Sequence, residues 1–404
     1  MNKHKLLPNI RFKGFEDEWE DTVLGKFVKV YDGVHQTPKY KNNGVPFVSV
    51  ENISNLYNTN KFISKSDFDN NFKNSKPTSG DLLMTRIGDI GTVNFVKNNN
   101  DLAYYVSLAL LKPKTKDFKK YMNSYFLMYL IESPRTKKEL WKRTLHIAFP
   151  KKINKNEISK VNLCICSNWK EQQKIGNLFA KLDKLLGLQR QNIDKLELLK
   201  KTLLQKLFPK HYAKIPELRF KGFEDDWQEK KLSHIVDIIM GQSPSSTNYY
   251  DTPIENSMIL IQGNADIKHH NVKPRIWTTQ ITKIAMPKDV LLTVRAPVGE
   301  VVKNRYKAVI GRGMAALRGN DFLYYNLEKL KIVGYWKHLS AGSTFESISS
   351  NNIRDTKIKI PSCKEQKKVY SVLSKVDQLI ELENKKLENL QQFKKCFLQN
   401  MFVE

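Results

Sequence analysis

Pro8-Asn9-Ile10-Arg11-Phe12-Lys13-Gly14-Phe15-Glu16-Asp17-Glu18-Trp19 recurs almost unchanged as Pro216-Glu217-Leu218-Arg219-Phe220-Lys221-Gly222-Phe223-Glu224-Asp225-Asp226-Trp227, 208 positions later. A near-identity of this length with collinear echoes marks a duplicated module. At the same offset Gly33 answers Gly241, Asp81-Leu82-Leu83-Met84-Thr85 answers Asp289-Val290-Leu291-Leu292-Thr293, and Gly91 answers Gly299. The offset then falls to 194: Lys170-Glu171-Gln172-Gln173-Lys174-Ile175 matches Lys364-Glu365-Gln366-Lys367-Lys368-Val369, Asp183 matches Asp377, and Phe208 matches Phe402. The chain therefore reads as two copies of a globular block followed by a helical block, with boundaries expected at 1–169, 170–208, 209–363 and 364–404. A constant frame with divergent interiors predicts one scaffold performing two different readings.

The helical blocks follow from apolar spacing. Ile175, Leu178, Leu182 and Leu185, then Leu188, Ile193, Leu196, Leu199, Leu203 and Leu207, recur at heptad-like intervals. Val369, Val372, Val376 and Leu379, then Leu382, Leu387, Leu390, Phe393, Phe397 and Met401, repeat the pattern. Both copies break phase at the same place, where Gln189 and Asn192, or Glu383 and Lys386, occupy seam positions. Gly187 loosens the first helix beside that break, and Pro209 ends it. A helix of this length extends roughly 58 Å and must cover its apolar stripe. Antiparallel pairing of the two copies is the economical solution, with Leu178, Leu182, Leu185, Leu196, Leu203, Val372, Val376, Leu379, Leu390 and Phe397 expected at the helix-pairing or partner-binding surface.

Composition narrows the function. The chain has 404 residues with 68 Lys and Arg against 41 Asp and Glu, a formal net charge of +27. Residues 1–169 carry +12 and residues 209–363 carry +8, while 170–208 and 364–402 carry +5 and +3. The excess thus falls mainly on the globular blocks and points to a polyanionic partner, nucleic acid before an acidic membrane surface. No apolar run approaches the roughly 20 residues of a membrane span. The basic start at residues 1–8 has no apolar stretch behind it, which predicts no secretory leader. Four Cys do not make a disulfide scaffold, so a reducing cytoplasm is expected.

Both globular blocks read as mixed and strand-rich, an α+β class. Val45-Pro46-Phe47-Val48-Ser49-Val50, Met258-Ile259-Leu260-Ile261 and the two Asp-led segments at 81–84 and 289–292 have strand character. Helical runs are expected near 122–132 and 322–333, and exposed loops at 70–76 and 98–101. Taken in order, these motifs resemble the specificity subunit of type I restriction-modification enzymes. The resemblance is carried by the duplicated Arg-Phe-x-Gly-Phe-x-Asp-x-Trp opening, the loops at 33–38 and 241–244, and the segments at 81–91 and 289–299. The stretch Gly342-Ser343-Thr344-Phe345-Glu346-Ser347-Ile348, with Ile358-Lys359-Ile360-Pro361 leading into Lys364-Glu365-Gln366, adds the most specific match. The first copy departs from it, with Leu145-His146-Ile147-Ala148-Phe149 and Cys164-Ile165-Cys166-Ser167 in the equivalent places.

The resemblance implies two tandem target recognition domains separated by two long antiparallel coiled-coil helices, in a pseudo-twofold internal repeat. Each domain would read one half of a bipartite, asymmetric double-stranded DNA target. The helices would set the spacer and dock two methyltransferase subunits, and restriction and translocase subunits would join that complex. The chain would be non-catalytic and hold no cofactor or metal, with S-adenosylmethionine, ATP and Mg expected on partner subunits.

The residues agree with a non-catalytic reading. There is no Gly-x-x-x-x-Gly-Lys-Ser/Thr loop and no Asn-Pro-Pro-aromatic tetrapeptide. Arg86-Ile87-Gly88-Asp89-Ile90-Gly91 and Gly311-Arg312-Gly313 lack dinucleotide-binding spacing. Cys164-x-Cys166 alternates with apolar residues as in a buried strand, without a second ligand pair. DNA contacts call for long donors, amides and hydroxyls on turns. The candidates are Gln36, Thr37, Lys39, Arg86 and His146 in the first block, and Gln242, Ser243, Ser245, Arg295, Arg312, Ser343 and Thr344 in the second. Arg86 lies one place out of register with Arg295 and is expected to play a similar part. Tyr40, Tyr249 and Tyr250 are candidates for stacking, and His269-His270 for phosphate contact. The rival readings are a fused methyltransferase or nuclease, a stand-alone repressor or architectural DNA-binding protein with a helical dimerisation rod, and a coiled-coil adaptor.

Overall fold

A computed structural model describes residues 5–114, 122–268, 271–340 and 346–404. Ser343 and Thr344, and the pair His269-His270, lie outside the described residues. The chain forms two compact units: unit 1 comprises Met1–Arg190 with Lys385–Glu404, and unit 2 comprises Gln191–Asn384. Each unit thus joins one globular block to segments of both long helices.

Unit 1 contains strands β1 (Glu20–Val23), β2 (Val28–Asp32), β3 (Val45–Val48), β4 (Phe62–Ile63), β5 (Leu82–Thr85), β6 (Val93–Phe95), β7 (Ala103–Tyr104), β8 (Leu108–Pro113) and β9 (Asn162–Ile165). Its helices are α1 (Lys65–Asn71), α2 (Ser124–Glu132), α3 (Pro134–Lys142), α4 (Lys155–Ser159) and the first half of α5 (Trp169–Lys206). The main sheet runs β2-β8-β5-β6, and a second runs β4-β3-β7 with β3 and β7 parallel. β5 and β8 are buried along most of their length, so both read as continuous apolar runs rather than alternating ones. A short ladder, β1 with β9, ties the opening of the chain to the strand that leads into α5.

Unit 2 contains β10 (Gln228–Lys231), β11 (Asp237–Met240), β12 (Tyr249–Tyr250), β13 (Met258–Ile261), β14 (Ile267–Lys268), β15 (Asn271–Val272), β16 (Ile276–Thr278), β17 (Ile284–Ala285), β18 (Val290–Thr293), β19 (Val301–Lys303), β20 (Ala308–Ile310), β21 (Met314–Arg318) and β22 (Lys357–Ile360). Its helices are α6 (Asp321–Ile332), α7 (Tyr335–Ser340), α8 (Ser350–Asp355), the second half of α5 and the first part of α9 (Cys363–Asn400). The order β11-β21-β18-β19 repeats the main sheet of unit 1 and is extended by β15-β14. The order β16-β13-β20 repeats its smaller sheet, with β12 and β17 added at the two edges. The duplicated frame and the divergent interior are therefore physically separable: the shared strands are central and the additions are marginal.

The duplicated opening has a structural task. Arg11 grips Glu171 in the first turn of α5 through Nε and Nη2 at 2.7 and 2.9 Å, and Arg219 grips Glu365 of α9 at 2.9 and 3.0 Å. Both glutamates are buried. The bidentate geometry satisfies each carboxylate, and the hydrogen bond donated to the glutamate is the largest influence raising each guanidinium above its ordinary pKa. Gly14 and Gly222 adopt φ of 88° and 87° in the turn between the two phenylalanines. Those phenylalanines then flank a helix lysine, with Phe15 at 5.1 Å from Lys174 and Phe223 at 5.2 Å from Lys368.

α5 and α9 are each continuous across the phase break. In unit 1 the helix segments run antiparallel, since Phe179 meets Phe402 and Asp183 meets Lys394. In unit 2 Lys200 meets Asp377, and Leu204 and Leu207 share a core with Leu373 and Val369. Of the residues expected on the seam, Leu182 and Val376 are buried, while Leu178, Leu196, Leu203, Val372, Leu390 and Phe397 are half-buried. Leu185 and Leu379 remain 49% and 47% exposed. Phe179, Leu186 and Leu373 are buried instead. The apolar stripe is wider than one seam, and the helices turn the 179–186 edge of it inward. The loop expected at 70–76 starts inside α1, and Phe72 is buried against Phe68 and Tyr104.

Candidate nucleic-acid interface

In each unit the candidate residues gather at one end of the main sheet. In unit 1, Asp32 at the end of β2 and Thr85 at the end of β5 pair with Ala109 and Leu108 at the start of β8. In unit 2, Met240 and Thr293 pair with Ala315 and Met314 in the same way. Gly33 and Gly241 leave the sheet here because no side chain fits: a Cβ would lie 2.4 Å from the Tyr104 carbonyl oxygen or 2.1 Å from that of Gly311. Gly91 and Gly299 close the second turn with φ of 86° and 85°, each donating its N–H to Thr85 or Thr293 at 2.9 Å. The two threonine hydroxyls accept from the backbone N–H of Thr92 and Glu300, also at 2.9 Å.

On this common platform the side chains differ. In unit 1, Gln36, Thr37 and Lys39 are exposed on the first turn. Tyr40 is partly exposed, edge-on to Phe47, with Lys61 over its ring. His146 lies in the arm 145–152, its Nε2 3.0 Å from the Trp141 carbonyl oxygen and its ring against that indole. The arm is stitched to the turn 86–91: Gly88 N–H donates to Lys151 at 2.9 Å, Ile153 N–H to Arg86 at 3.0 Å, and Leu145 N–H to Lys152 at 2.8 Å.

Arg86 and Arg295 prove unlike. Arg295 is exposed and bridges Ser347. Arg86 is only 6% exposed; its Nη1 is bound to Asp32 and its Nε donates to the Ile153 carbonyl at 3.1 Å. Burial lowers its pKa. At the repeat offset the counterpart of Arg295 is Ile87, which bridges Lys152, and that of Arg86 is buried Val294. One residue of register moves the guanidinium from outside to inside.

In unit 2, Gln242 and Arg312 are exposed and Ser243 is half-buried. Ser243 Oγ accepts the Arg312 N–H at 3.0 Å, and Gln242 N–H donates to Ile310 at 2.9 Å, so the three positions form one fixed corner. Ser245 is exposed, its N–H donating to Gln280 Oε1 at 2.7 Å. Tyr249 is half-buried and occupied internally, donating to Pro244 O at 3.1 Å and accepting from Gln262 Nε2 at 2.8 Å.

The sequence took only His146 from the arm 145–152. Lys151 and Lys152, exposed and without a carboxylate partner among the described residues, belong to the same feature. Their adjacency to Phe149-Pro150 is the signal that would have found them. Among the described residues no group of three or more His, Cys, Asp or Glu is arranged to hold a metal ion, and no helix is long and apolar enough to cross a membrane.

Comparison with known proteins gives the family of the chain. The putative type I restriction enzyme MjaX specificity subunit of Methanocaldococcus jannaschii is 27% identical over 403 residues, covering 94% of this chain and 91% of that protein. The type I restriction enzyme MjaIX specificity subunit of the same organism is 28% identical over 197 residues, 44% of each chain. Among solved structures, the S subunit of a type I restriction-modification system from M. genitalium superposes with a TM-score of 0.66 at 15% identity, covering 98% of this chain and 99% of that one. A chain from a structure of type I R-M complex assembly and conformational transition gives a TM-score of 0.57 at 21% identity, covering 94% and 96%. The profile of the type I restriction modification DNA specificity domain matches twice, at residues 16–198 and 224–392. With that domain present in both repeats, the chain belongs to the type I restriction-modification DNA specificity family.

Proposed function

We propose that each unit reads one half of a bipartite, asymmetric DNA target. The observation that carries the reading is the combination of a repeated sheet end with unlike side chains on it: Gln36, Thr37, Lys39 and His146 in one unit, Gln242, Ser243, Ser245, Arg295 and Arg312 in the other. Ser343 and Thr344 would extend the second set. Long cationic donors and amides on turns suit guanine and adenine edges, and the hydroxyls suit phosphates. Identical frames allow both units to approach a duplex alike, and different side chains make the two half-sites differ.

The long helices fix the spacer and dock two methyltransferase subunits. The exposed leucines Leu185 and Leu188 in unit 1, and Leu199, Leu379 and Leu382 in unit 2, support that reading, since a single chain leaves these side chains uncovered. The chain itself performs no chemistry. S-adenosylmethionine, ATP and Mg act on the partner methyltransferase and restriction subunits, in the cytoplasm.

The test is methylome mapping with this chain expressed beside its methyltransferase partner. A split motif with two unlike halves is the expected result. Four residues, about one helical turn, inserted near the exposed Gly187 then lengthen the spacer and leave both half-sites unchanged. Altered half-sites with an unaltered spacer would show the ruler assignment to be wrong.

A further inference from the structure

We propose that the arm 145–152 carries an apolar wedge, Ile147 and Phe149, that enters between stacked base pairs of the duplex held by unit 1. The inference rests on the DNA-reading role above and adds a way of reading it, by deformation of a base step rather than by contact with base edges.

Ile147 and Phe149 are 100% and 104% exposed, and Leu145 and Trp141 beside them are 39% and 54% exposed. Single exposed apolar residues are ordinary, but two fully exposed large ones at a loop tip are a concentrated cost that a bound partner would relieve. The tip does not hang from a free loop. Leu145 and Lys152 bridge one another across its base, and Lys152 also bridges Ile87 of the turn 86–91. Arg86 adds a third tie through the Ile153 carbonyl. The tip therefore projects from the same sheet end that carries Gln36, Thr37 and Lys39.

Charge identifies the occupant. Lys151 and Lys152 follow the tip directly, are exposed, and meet no carboxylate among the described residues. Lys151 also lies 4.4 Å from the centre of the Trp141 ring, so its ammonium sits beside the tip. Duplex DNA meets this arrangement at every step, with a phosphate on each flank for the lysines and a base stack between them for the apolar side chains. A protein groove would need both an apolar pocket and carboxylates for the two lysines.

The experiment uses the full chain with its methyltransferase partner and duplexes carrying the mapped target, with 2-aminopurine stepped through both halves. The parent protein is expected to raise the probe's fluorescence at one step of one half besides the bases that the methyltransferase flips out, which brighten with parent and variants alike. Ile147→Ser with Phe149→Ser should abolish that rise and weaken binding about 10-fold or more, with the salt dependence unchanged, because neither residue touches a phosphate. Lys151→Ala and Lys152→Ala should instead lower the salt slope by about 0.9 each. Both tip residues are fully exposed, so an unchanged melting curve serves as the folding control. If the parent binds its target and only the flipped bases brighten, the wedge is wrong while the DNA-reading role stands. If the parent binds no mapped target, the DNA-reading role fails and the wedge with it. A tip variant that keeps the fluorescence rise but loses the methyltransferase on co-purification would reassign the tip to a protein contact.

Discussion

Lys200 Nζ lies 2.8 Å from Asp377 Oδ1, and 3.5 Å from Glu328 Oε2. Lys394, its counterpart in the repeat, lies 2.7 Å from Asp183 and 3.9 Å from Glu132. The Tyr325 and Tyr129 hydroxyls donate to the same two aspartates at 2.7 Å. Each cluster takes its tyrosine, glutamate and aspartate from one repeat and its lysine from the other. The same exchange recurs in the core, where Trp19 packs on Phe402 and Trp227 on Phe208, and in the backbone, where Ile10 N–H donates to Asn400 and Leu218 N–H to Lys206. Every repeat therefore completes its partner's core with the last turns of its own helix.

The exchanged lysines are expected to matter unequally. Lys200 is 8% exposed, and Glu328, for which it is the one ion-pair partner among the described residues, already has one oxygen without a hydrogen-bond partner. Lys200→Met removes the counter-charge shared by Glu328 and Asp377 and should cost about 3–5 kcal/mol. Lys394 is more open to solvent, and Lys394→Met should cost only ~1 kcal/mol. Urea unfolding of the two variants tests the ranking, and equal losses would contradict it.

Phe402 is 2% exposed, with ring centres 6.2 Å from Trp19, 5.7 Å from Phe126 and 5.8 Å from Phe179. Phe402→Ala should cost about 3–5 kcal/mol, and the loss should fall on unit 1. Native-state hydrogen exchange should show faster exchange in α2 and the first half of α5, with the region around Trp227 and Phe322 unaffected. A uniform loss of protection would mean that the two units open as one.

The duplication, the two long helices and the strand-rich blocks were legible because they rest on periodicity and self-similarity, which are properties of the chain alone. The exchange was not legible. Lys200 reads as one more lysine on a helix surface, and nothing in its spacing says that Asp377 and Glu328 surround it. Leu185 and Leu379 fit the heptad as well as Leu182 and Val376, yet only the latter pair is buried, because the inward edge of a wide stripe is chosen by the partner's shape. At the sheet ends, Gly33 and Gly241 were legible as turns, whereas Arg86 and Arg295 looked equivalent. A one-residue difference in register decides which side of the backbone a side chain occupies.

The cysteines divide by environment. Cys164 and Cys166 are buried, while Cys363 and Cys396 are exposed. Burial pushes the Cys164 thiol up to about 12 and raises that of Cys166 as well. Since the thiolate is the nucleophile, iodoacetamide should modify Cys363 and Cys396 in the folded chain and spare the other two. The same shift gives a pH dependence. An unfolded thiol ionises near about 8.5, so the stability held by neutral Cys164 is complete below that pH and is lost as pH rises toward about 12. Mass spectrometry after brief alkylation checks the first part, and labelling of Cys164 as fast as Cys396 would contradict it.

Arg295 and Arg86 should fail in different ways when replaced. Arg295 is exposed at the end of β18, so Arg295→Ala should leave the melting temperature unchanged. If Arg295 reads a base bidentately, its loss costs about 1–3 kcal/mol of discrimination, seen as relaxed methylation at one position of one half-site. Arg86→Ala leaves Asp32 only the longer ion pair with Lys155, at 3.8 Å, and strands the carbonyl of Ile153. It should destabilise the fold by about 2–4 kcal/mol and detach the base of the arm 145–152, lowering methylation of the other half-site through loss of folded protein. Methylome mapping at a permissive temperature separates the two. Recovery of full specificity by Arg86→Ala on cooling, with none by Arg295→Ala, is the expected outcome. Relaxed specificity from Arg86→Ala in fully folded protein would instead place its guanidinium on the DNA.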